Sequence, residues 1–354
     1  MTSDFLLYGA TGYTGGLIIE RAVAAGLRPL LAGRNPAKLR TLASEHALEQ
    51  RAFSLDDAAA LDSALSSVSV VLHAAGPFTH TSARMMEACI RTRTHYVDIT
   101  GEIEVFERLH RESDRARDAG IMVLPGAGFD VVPTDLLAAH LKRRLPGATH
   151  LRLAFYARDG SMSRGTLTTM VENVGRGGAV RIDGRITRVP PAWRTRVVDF
   201  GFGTKPVSVT TIPWGDVSTA YHSTGISNVA VYAYAGSAQR RMLEATRMLK
   251  KPLGWPPVQR VLKSWIRARV TGPSAEQRRH AVSFVHGEAW DDAGARVESR
   301  MRTPEGYALT AMTSVEVIQR VLAGAVQPGF QTPSLAYGAD WVLELDGVER
   351  EDVV

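Results

Sequence analysis

One cysteine, Cys89, stands among 354 residues, so the chain forms no internal disulfide and no cysteine-based metal cluster. Cys89 falls in a helical pattern beside Met85, Met86 and Ile90, where a small apolar side chain packs. No stretch approaches the roughly 18 uninterrupted apolar residues of a membrane span. Low-complexity linkers and internal repeats are also missing. Met1-Thr2-Ser3-Asp4 is polar and runs directly into an apolar segment, so no signal or transit peptide is expected and the compartment is read as cytoplasmic. What remains is an ordinary globular composition, 45% apolar and 22% charged, in a length that suits two domains.

The informative stretch comes first. Phe5-Leu6-Leu7-Tyr8 leads into Gly9-Ala10-Thr11-Gly12-Tyr13-Thr14-Gly15, and apolar residues then recur at helical spacing as far as Gly26. Strand, tight turn and helix are the context that makes a glycine triplet a dinucleotide fingerprint. Gly9 lets the chain leave the strand sharply. Gly12 lets backbone approach a pyrophosphate, and Gly15 lets helix pack on strand. The helix N-terminus offers N–H groups and a positive dipole end to phosphate.

The next strand, Leu30 to Ala32, ends in Gly33 and Arg34, with Lys38 a turn further on. An NAD enzyme places a carboxylate there for the ribose hydroxyls. A guanidinium instead bonds a 2′-phosphate and stacks on adenine, so NADP is the expected cofactor. Ser54, beside Phe53 and Leu55 in an expected third strand, lies where the loop would face adenine. Val68 to Ala75 is a nearly unbroken apolar run, as in a parallel strand buried on both faces, and it ends in Ala75-Gly76-Pro77-Phe78. His73, inside that run, reads as a core histidine.

Two more strands end in Asp98-Ile99-Thr100-Gly101-Glu102 and in Gly126-Ala127-Gly128-Phe129-Asp130, followed by a helix from Pro133 and Asp135 to about Leu145. A single charged helix is expected over 104–119. The alternation is α/β, a doubly wound parallel sheet, and its carboxyl-end loops mark the expected ligand crevice. From His150 the pattern changes to short alternating strands at 151–156, 207–211, 229–233, 281–285 and 297–301, a second α+β domain.

These residues resemble the saccharopine dehydrogenase-like oxidoreductases, most closely the branch of trans-acting enoyl reductases. The resemblance rests on Gly9 to Gly15, Ala32-Gly33-Arg34, Ala75 to Phe78, Tyr96 to Glu102 and Gly126 to Pro133. Downstream it continues through Ser163 to Thr166, Pro213 to Asp216, Ala220 to Asn228, Thr303 to Tyr307 and Thr332 to Gly338. It implies an NADP-binding Rossmann domain (1–147), a mixed-sheet substrate domain (148–330) and a C-terminal helix (331–354) packing back on the first domain. It also implies reduction of the C=C bond of an enoyl thioester carried on acyl carrier protein or coenzyme A.

Chemistry narrows the choice further. None of the nine tyrosines has lysine four residues on, which removes the Tyr-x-x-x-Lys pair of short-chain dehydrogenases. Enoyl reduction needs less: hydride to the β-carbon, a proton to the α-carbon, and a donor that polarises the thioester carbonyl. Tyr221-His222 is the first candidate for acid or donor, with a polar strand end as the ordinary alternative. Asp98 with Glu102 is the second, against helix capping and loop bonding. Thr166 and Glu172 are weaker. No metal ligand set and no reader of nucleic-acid bases is found. The oligomeric state stays open, with a homodimer as one option.

Two other functions stay open. An amino-acid dehydrogenase of the saccharopine type would need arginines clamping carboxylates, for which Arg152, Arg158, Arg164 and Arg176 are available. The other is a nucleotide-binding, membrane-associated protein with little turnover. Between Ser237 and His280, eleven basic residues face two glutamates, a net +9 against +6 for the whole chain. Tryptophan and leucine interleave with them, and prolines divide the stretch into two amphipathic helices. Such helices suit an anionic membrane surface or an acidic carrier protein, the ordinary alternative being a solvated face.

Overall fold

The computed structural model describes residues 3–173, 177–234, 236 and 255–353. The first half of the basic stretch, with Arg240, Arg241, Arg247, Lys250 and Lys251, lies outside them, as does Arg176.

Strands and helices alternate from the start: β1 (Phe5–Tyr8), α1 (Tyr13–Ala24), β2 (Pro29–Gly33), α2 (Pro36–His46), β3 (Gln50–Ala52), α3 (Ala58–Leu65), β4 (Val70–His73), α4 (Phe78–Thr92), β5 (His95–Asp98), α5 (Ile103–Arg111), α6 (Ser113–Asp118) and β6 (Met122–Leu124). Then come α7 (Val132–Arg144), β7 (His150–Arg158), α8 (Arg164–Asn173), β8 (Gly178–Ile182), β9 (Arg185–Val189), β10 (Thr195–Val198), β11 (Val207–Ile212), α9 (Asp216–Thr224) and β12 (Asn228–Tyr234). The rest is α10 (Pro256–Arg269), α11 (Ala275–His280), β13 (Val282–Trp290), β14 (Arg296–Pro304), α12 (Gly306–Leu322), β15 (Gly329–Phe330), α13 (Pro333–Tyr337) and β16 (Glu349–Asp352).

The chain forms two compact units, residues 1–130 with 307–336, and residues 131–306 with 337–354. The first unit holds a parallel sheet in the order β15-β6-β5-β4-β1-β2-β3. Strand order reverses between β1 and β4, the switch point where open α/β sheets bind ligands. β1, β2, β4 and β6 are buried along their whole length, as their apolar runs require. This is the expected doubly wound fold.

Local differences have local causes. The third strand ends at Ala52, and Ser54 begins a turn in which its hydroxyl accepts from the Asp56 N–H at 3.2 Å. Asp57 then caps α3 by accepting from the Ala60 N–H at 3.0 Å. The charged helix expected over 104–119 breaks at Glu112 into α5 and α6.

The second unit carries a mixed sheet along β10-β11-β12-β7-β13-β14-β16, with β12 and β7 parallel and the remaining neighbours on that path antiparallel. α7, which the sequence groups with the first domain, belongs to this unit. Gly287 allows that: a Cβ there would stand 2.6 Å from Leu141 Cδ1, so the helix lies directly on the strand. Residues 331–354 do not form one helix. α13 is a single short turn, and β16 pairs antiparallel with β14, where Asp352 bonds Ser299 Oγ at 2.7 Å and His140 Nε2 at 2.8 Å. Among the described residues no helix is long and apolar enough to cross a membrane.

Candidate functional site

The glycine turn of the first unit is built for close approach. Gly9 has φ +97°, and a Cβ on it would stand 2.7 Å from the Ala74 carbonyl carbon at the end of β4. A Cβ on Gly15 would stand 2.5 Å from the Gly9 oxygen, so any other residue pushes α1 off the turn. Gly12 differs. A Cβ there would meet only the Gly9 oxygen, at 3.2 Å, so its outward side is open to a phosphate. Gly12 is also the N-cap of α1, and no acidic residue sits in that first turn. The amides and dipole of α1 therefore face an anion without a competing carboxylate. This cradle fits a pyrophosphate.

Thr11 and Lys38 line one shallow depression together with Thr41, Leu42 and Glu45. Arg34 and Lys38 are both exposed, and Asn35 between them caps α2 by accepting from the Lys38 N–H at 3.0 Å. Two cations are thus presented where β2 ends, on a helix start held rigid by its own cap. Tyr13 meets Tyr307 of α12 edge-on, ring centres 5.1 Å apart.

At the end of β4, the Gly76–Pro77 peptide bond is cis and Phe78 opens α4. α4 has no cap of its own. The Glu102 carboxylate supplies one, accepting from the Phe78 N–H at 2.7 Å and the Thr79 N–H at 3.0 Å. His73 is fully buried, its Nε2 2.9 Å from Thr81 Oγ1 and its Nδ1 without a hydrogen bond. Burial pushes its pKa down to about 3, so it stays neutral. Cys89 is likewise buried.

Asp98 is fully buried and its carboxylate is occupied. It accepts from Tyr96 Oη at 2.6 Å, the Thr100 N–H at 2.9 Å and the Gly126 N–H at 3.0 Å. Burial raises its pKa to about 7 against the lowering by those donors. It ties the β5 loop to the β6 loop. The β6 loop is held from its other side by α12, where Thr310 Oγ1 accepts from the Phe129 N–H at 3.0 Å and Thr313 Oγ1 donates to the Ala127 oxygen at 2.7 Å. Gly128 is small for that reason: a Cβ would stand 2.8 Å from Thr310 Cγ2.

The residue that sequence reasoning passed over is Asp130. It ends the β6 loop, half-buried, and its carboxyl leans over Gly101, where a Cβ would stand 2.7 Å from Oδ2. Burial, and then the neighbouring Glu102 charge, push its pKa up to about 7. Its place behind Gly-Ala-Gly-Phe at a strand end was the available signal. In sequence it looks like one more polar loop residue.

The remaining candidates lie in the second unit. Tyr221 and His222 stand on a helix, α9, not at a strand end. The guanidinium of Arg181 covers the Tyr221 ring at 4.2 Å, and Ser223 Oγ donates to Asp135 Oδ1 at 2.7 Å. Glu172 is spent on an ion pair with Lys263 at 2.6 Å, and Thr166 Oγ1 lies 3.2 Å from Ser163 Oγ. Of the arginines, Arg152 stacks on Trp290 at 4.2 Å and lies 3.6 Å from Glu288. Arg164 donates to the Val270 oxygen at 3.2 Å, and Arg158 lies 5.4 Å above Phe284. They do not converge on one carboxylate-binding point.

The sequence model of the saccharopine dehydrogenase NADP binding domain matches residues 5–124. That decides the cofactor. Residues 5–124 are similar to that domain, and the cofactor it indicates is NADP. A candidate trans-acting enoyl reductase of Mycobacterium tuberculosis is 35% identical over 185 residues, 48% of this chain and 43% of that protein. The trans-acting enoyl reductase of Mycobacterium ulcerans is 32% identical over 154 residues, 40% of this chain and 36% of the other. The matched stretches thus span less than half of those relatives. In fold, the chain is similar to apo saccharopine dehydrogenase (L-Glu forming) from Saccharomyces cerevisiae, with a TM-score of 0.67 at 13% identity, over 99% of this chain and all of that one. The match indicates an NADP-dependent oxidoreductase.

Proposed function

We propose that this protein is an NADPH-dependent reductase of the C=C bond of an enoyl thioester, carried on acyl carrier protein or coenzyme A. The observation that carries the reading is the 32–35% identity to enoyl reductases, beside a match of residues 5–124, which hold the phosphate cradle, to an NADP-binding domain model. Bound NADPH supplies a hydride. The chain's own work is to hold the cofactor and to handle the charge that develops on the substrate. Gly9, Thr11, Gly12, Tyr13, Thr14 and Gly15 would hold the pyrophosphate, Arg34 and Lys38 the 2′-phosphate, and Ser54 the adenosine side. Ala75, Gly76, Pro77, Phe78 and Gly128 would flank the nicotinamide end.

On chemistry alone, His222 with Tyr221 is retained as the donor to the thioester oxygen, where enolate charge develops. Asp98 acts by fixing two loops. The scatter of Arg152, Arg158 and Arg164 weighs against an amino-acid dehydrogenase. The test is NADPH oxidation with enoyl thioesters in one assay and with 2-oxoglutarate plus lysine in another. Turnover with enoyl thioesters alone is expected, and turnover with the amino-acid pair alone would reverse the assignment. For delivery we propose an anionic membrane surface reached through α10, whose Trp265 and Val261 are 59% and 69% exposed with Arg260 beside them.

A further inference from the structure

Three carboxylates stand at the ends of β5 and β6, and their surroundings differ in kind. Asp98 is sealed and takes three donors. Glu102 is spent on two amides of α4. Asp130 is the third, and among the described residues no hydrogen-bond donor reaches it. Its backbone is placed by other means: the Asp98–Gly126 bond ties down one end of the loop, and Thr310 and Thr313 of α12 hold Phe129 and Ala127. A half-buried carboxyl with nothing of its own to bond, on a loop fixed independently, is placed for work rather than for structure.

Burial first, and then its charged neighbour, set its protonation state. From the β5 loop the facing charge is Glu102, whose carboxylate accepts from two α4 amides, with Asp98 behind it bonded to Tyr96. α12 contributes the hydroxyls of Thr310 and Thr313 to this loop. Burial and the Glu102 charge both disfavour a second negative charge on Asp130. Asp130 is the one that keeps its proton.

We infer that Asp130 is the acid that protonates the substrate α-carbon, an inference that rests on the enoyl reductase reading above. The step balances. When bound, NADPH would supply the β-carbon with one hydrogen and two electrons, and the C=C π pair would move towards the thioester carbonyl. That pair then takes the proton from the Asp130 carboxyl at the α-carbon. The product is the saturated thioester, Asp130 is left as a carboxylate, and water returns its proton.

The experiment uses the full chain with Asp130→Asn, and Asp130→Glu as the conservative variant. Asn should lower kcat with an enoyl thioester by about a hundredfold or more, leave NADPH affinity unchanged, and remove the loss of rate expected of the wild type as pH rises through about 7. Glu should restore part of kcat and the pH limb with it. A readout without turnover accompanies this. Because the native state holds the Asp130 proton to higher pH than the unfolded chain does, wild-type Tm should fall between pH 5 and 8 by more than that of the Asn variant. If the Asn variant fails to fold, Asp130→Ser serves in its place. An active wild type whose Asn or Ser variant keeps full kcat overturns the inference while leaving the reductase reading intact. A wild type inactive with every enoyl thioester overturns both.

Discussion

Glu102 caps the helix that Phe78 opens, taking its N–H at 2.7 Å from a loop 24 residues further along the chain. One carboxylate thereby fixes the start of α4, the end of β5 and the charge beside Asp130. Glu102→Gln should keep the shape and lose the charge. With that repulsion gone, Asp130 ionises more readily, so the fall in kcat with rising pH should move to lower pH, read from the pH–rate profile. Glu102→Ala should in addition cost about 1–2 kcal/mol of stability in urea unfolding, because two helix-terminal amides lose their acceptor.

Arg34 and Lys38 stand exposed on a capped helix start, with no carboxylate at the end of β2. NADPH should bind at least about tenfold more tightly than NADH, or about 1.4 kcal/mol by calorimetry. Arg34→Asp should erase or invert the preference. Equal binding of both cofactors by the wild type would show that this loop does not read the 2′-phosphate.

Much of this was legible in the chain itself, for a physical reason. Short-range demands such as Gly9 with its positive φ, Gly15 against the Gly9 oxygen, or the buried run of β4 leave a mark on residue type at the position concerned. Demands set by distant partners leave none. Glu102 on Phe78, Thr310 on Phe129 and Leu141 on Gly287 join segments 24, 181 and 146 residues apart, and neither partner betrays the other in sequence. Asp130 escaped notice because its distinction is that, among the described residues, no donor bonds its carboxyl. Tyr221 and His222 look strand-like in sequence, yet sit on α9.

The Asp98 carboxyl is held near 7 by burial, well above its ordinary 3.8. Below about pH 4 both folded and unfolded chains carry this proton, so it changes nothing. Between about 4 and 7 the unfolded chain gives it up while the native state retains it, and stability falls as pH rises. At full value that is about 4 kcal/mol, an upper figure for a buried group. Asp98→Asn should flatten this part of the stability–pH curve measured by urea unfolding. A curve of unchanged slope would show that the buried carboxyl is ionised throughout.

α10 exposes Trp265 and Val261 beside Arg260, while its Lys263 is tied to Glu172. Co-sedimentation with anionic vesicles should exceed that with neutral ones and weaken as salt rises. Trp265→Ala together with Arg260→Glu should cut that binding about tenfold or more without altering NADPH affinity. Lys263→Glu would disturb α8 as well and is the poorer probe. Binding that is equal on both vesicle types would assign α10 to the solvated surface.

The central claim is that NADPH hydride reaches the β-carbon of an enoyl thioester on this protein. NADPH carrying deuterium at both C4 positions, incubated with the protein and an enoyl thioester in ordinary water, tests it directly by mass spectrometry of the product. The expected product is the saturated thioester with one deuterium, at the β-carbon, and protium at the α-carbon. Unreduced enoyl thioester, or a reduced product without deuterium, would contradict the account.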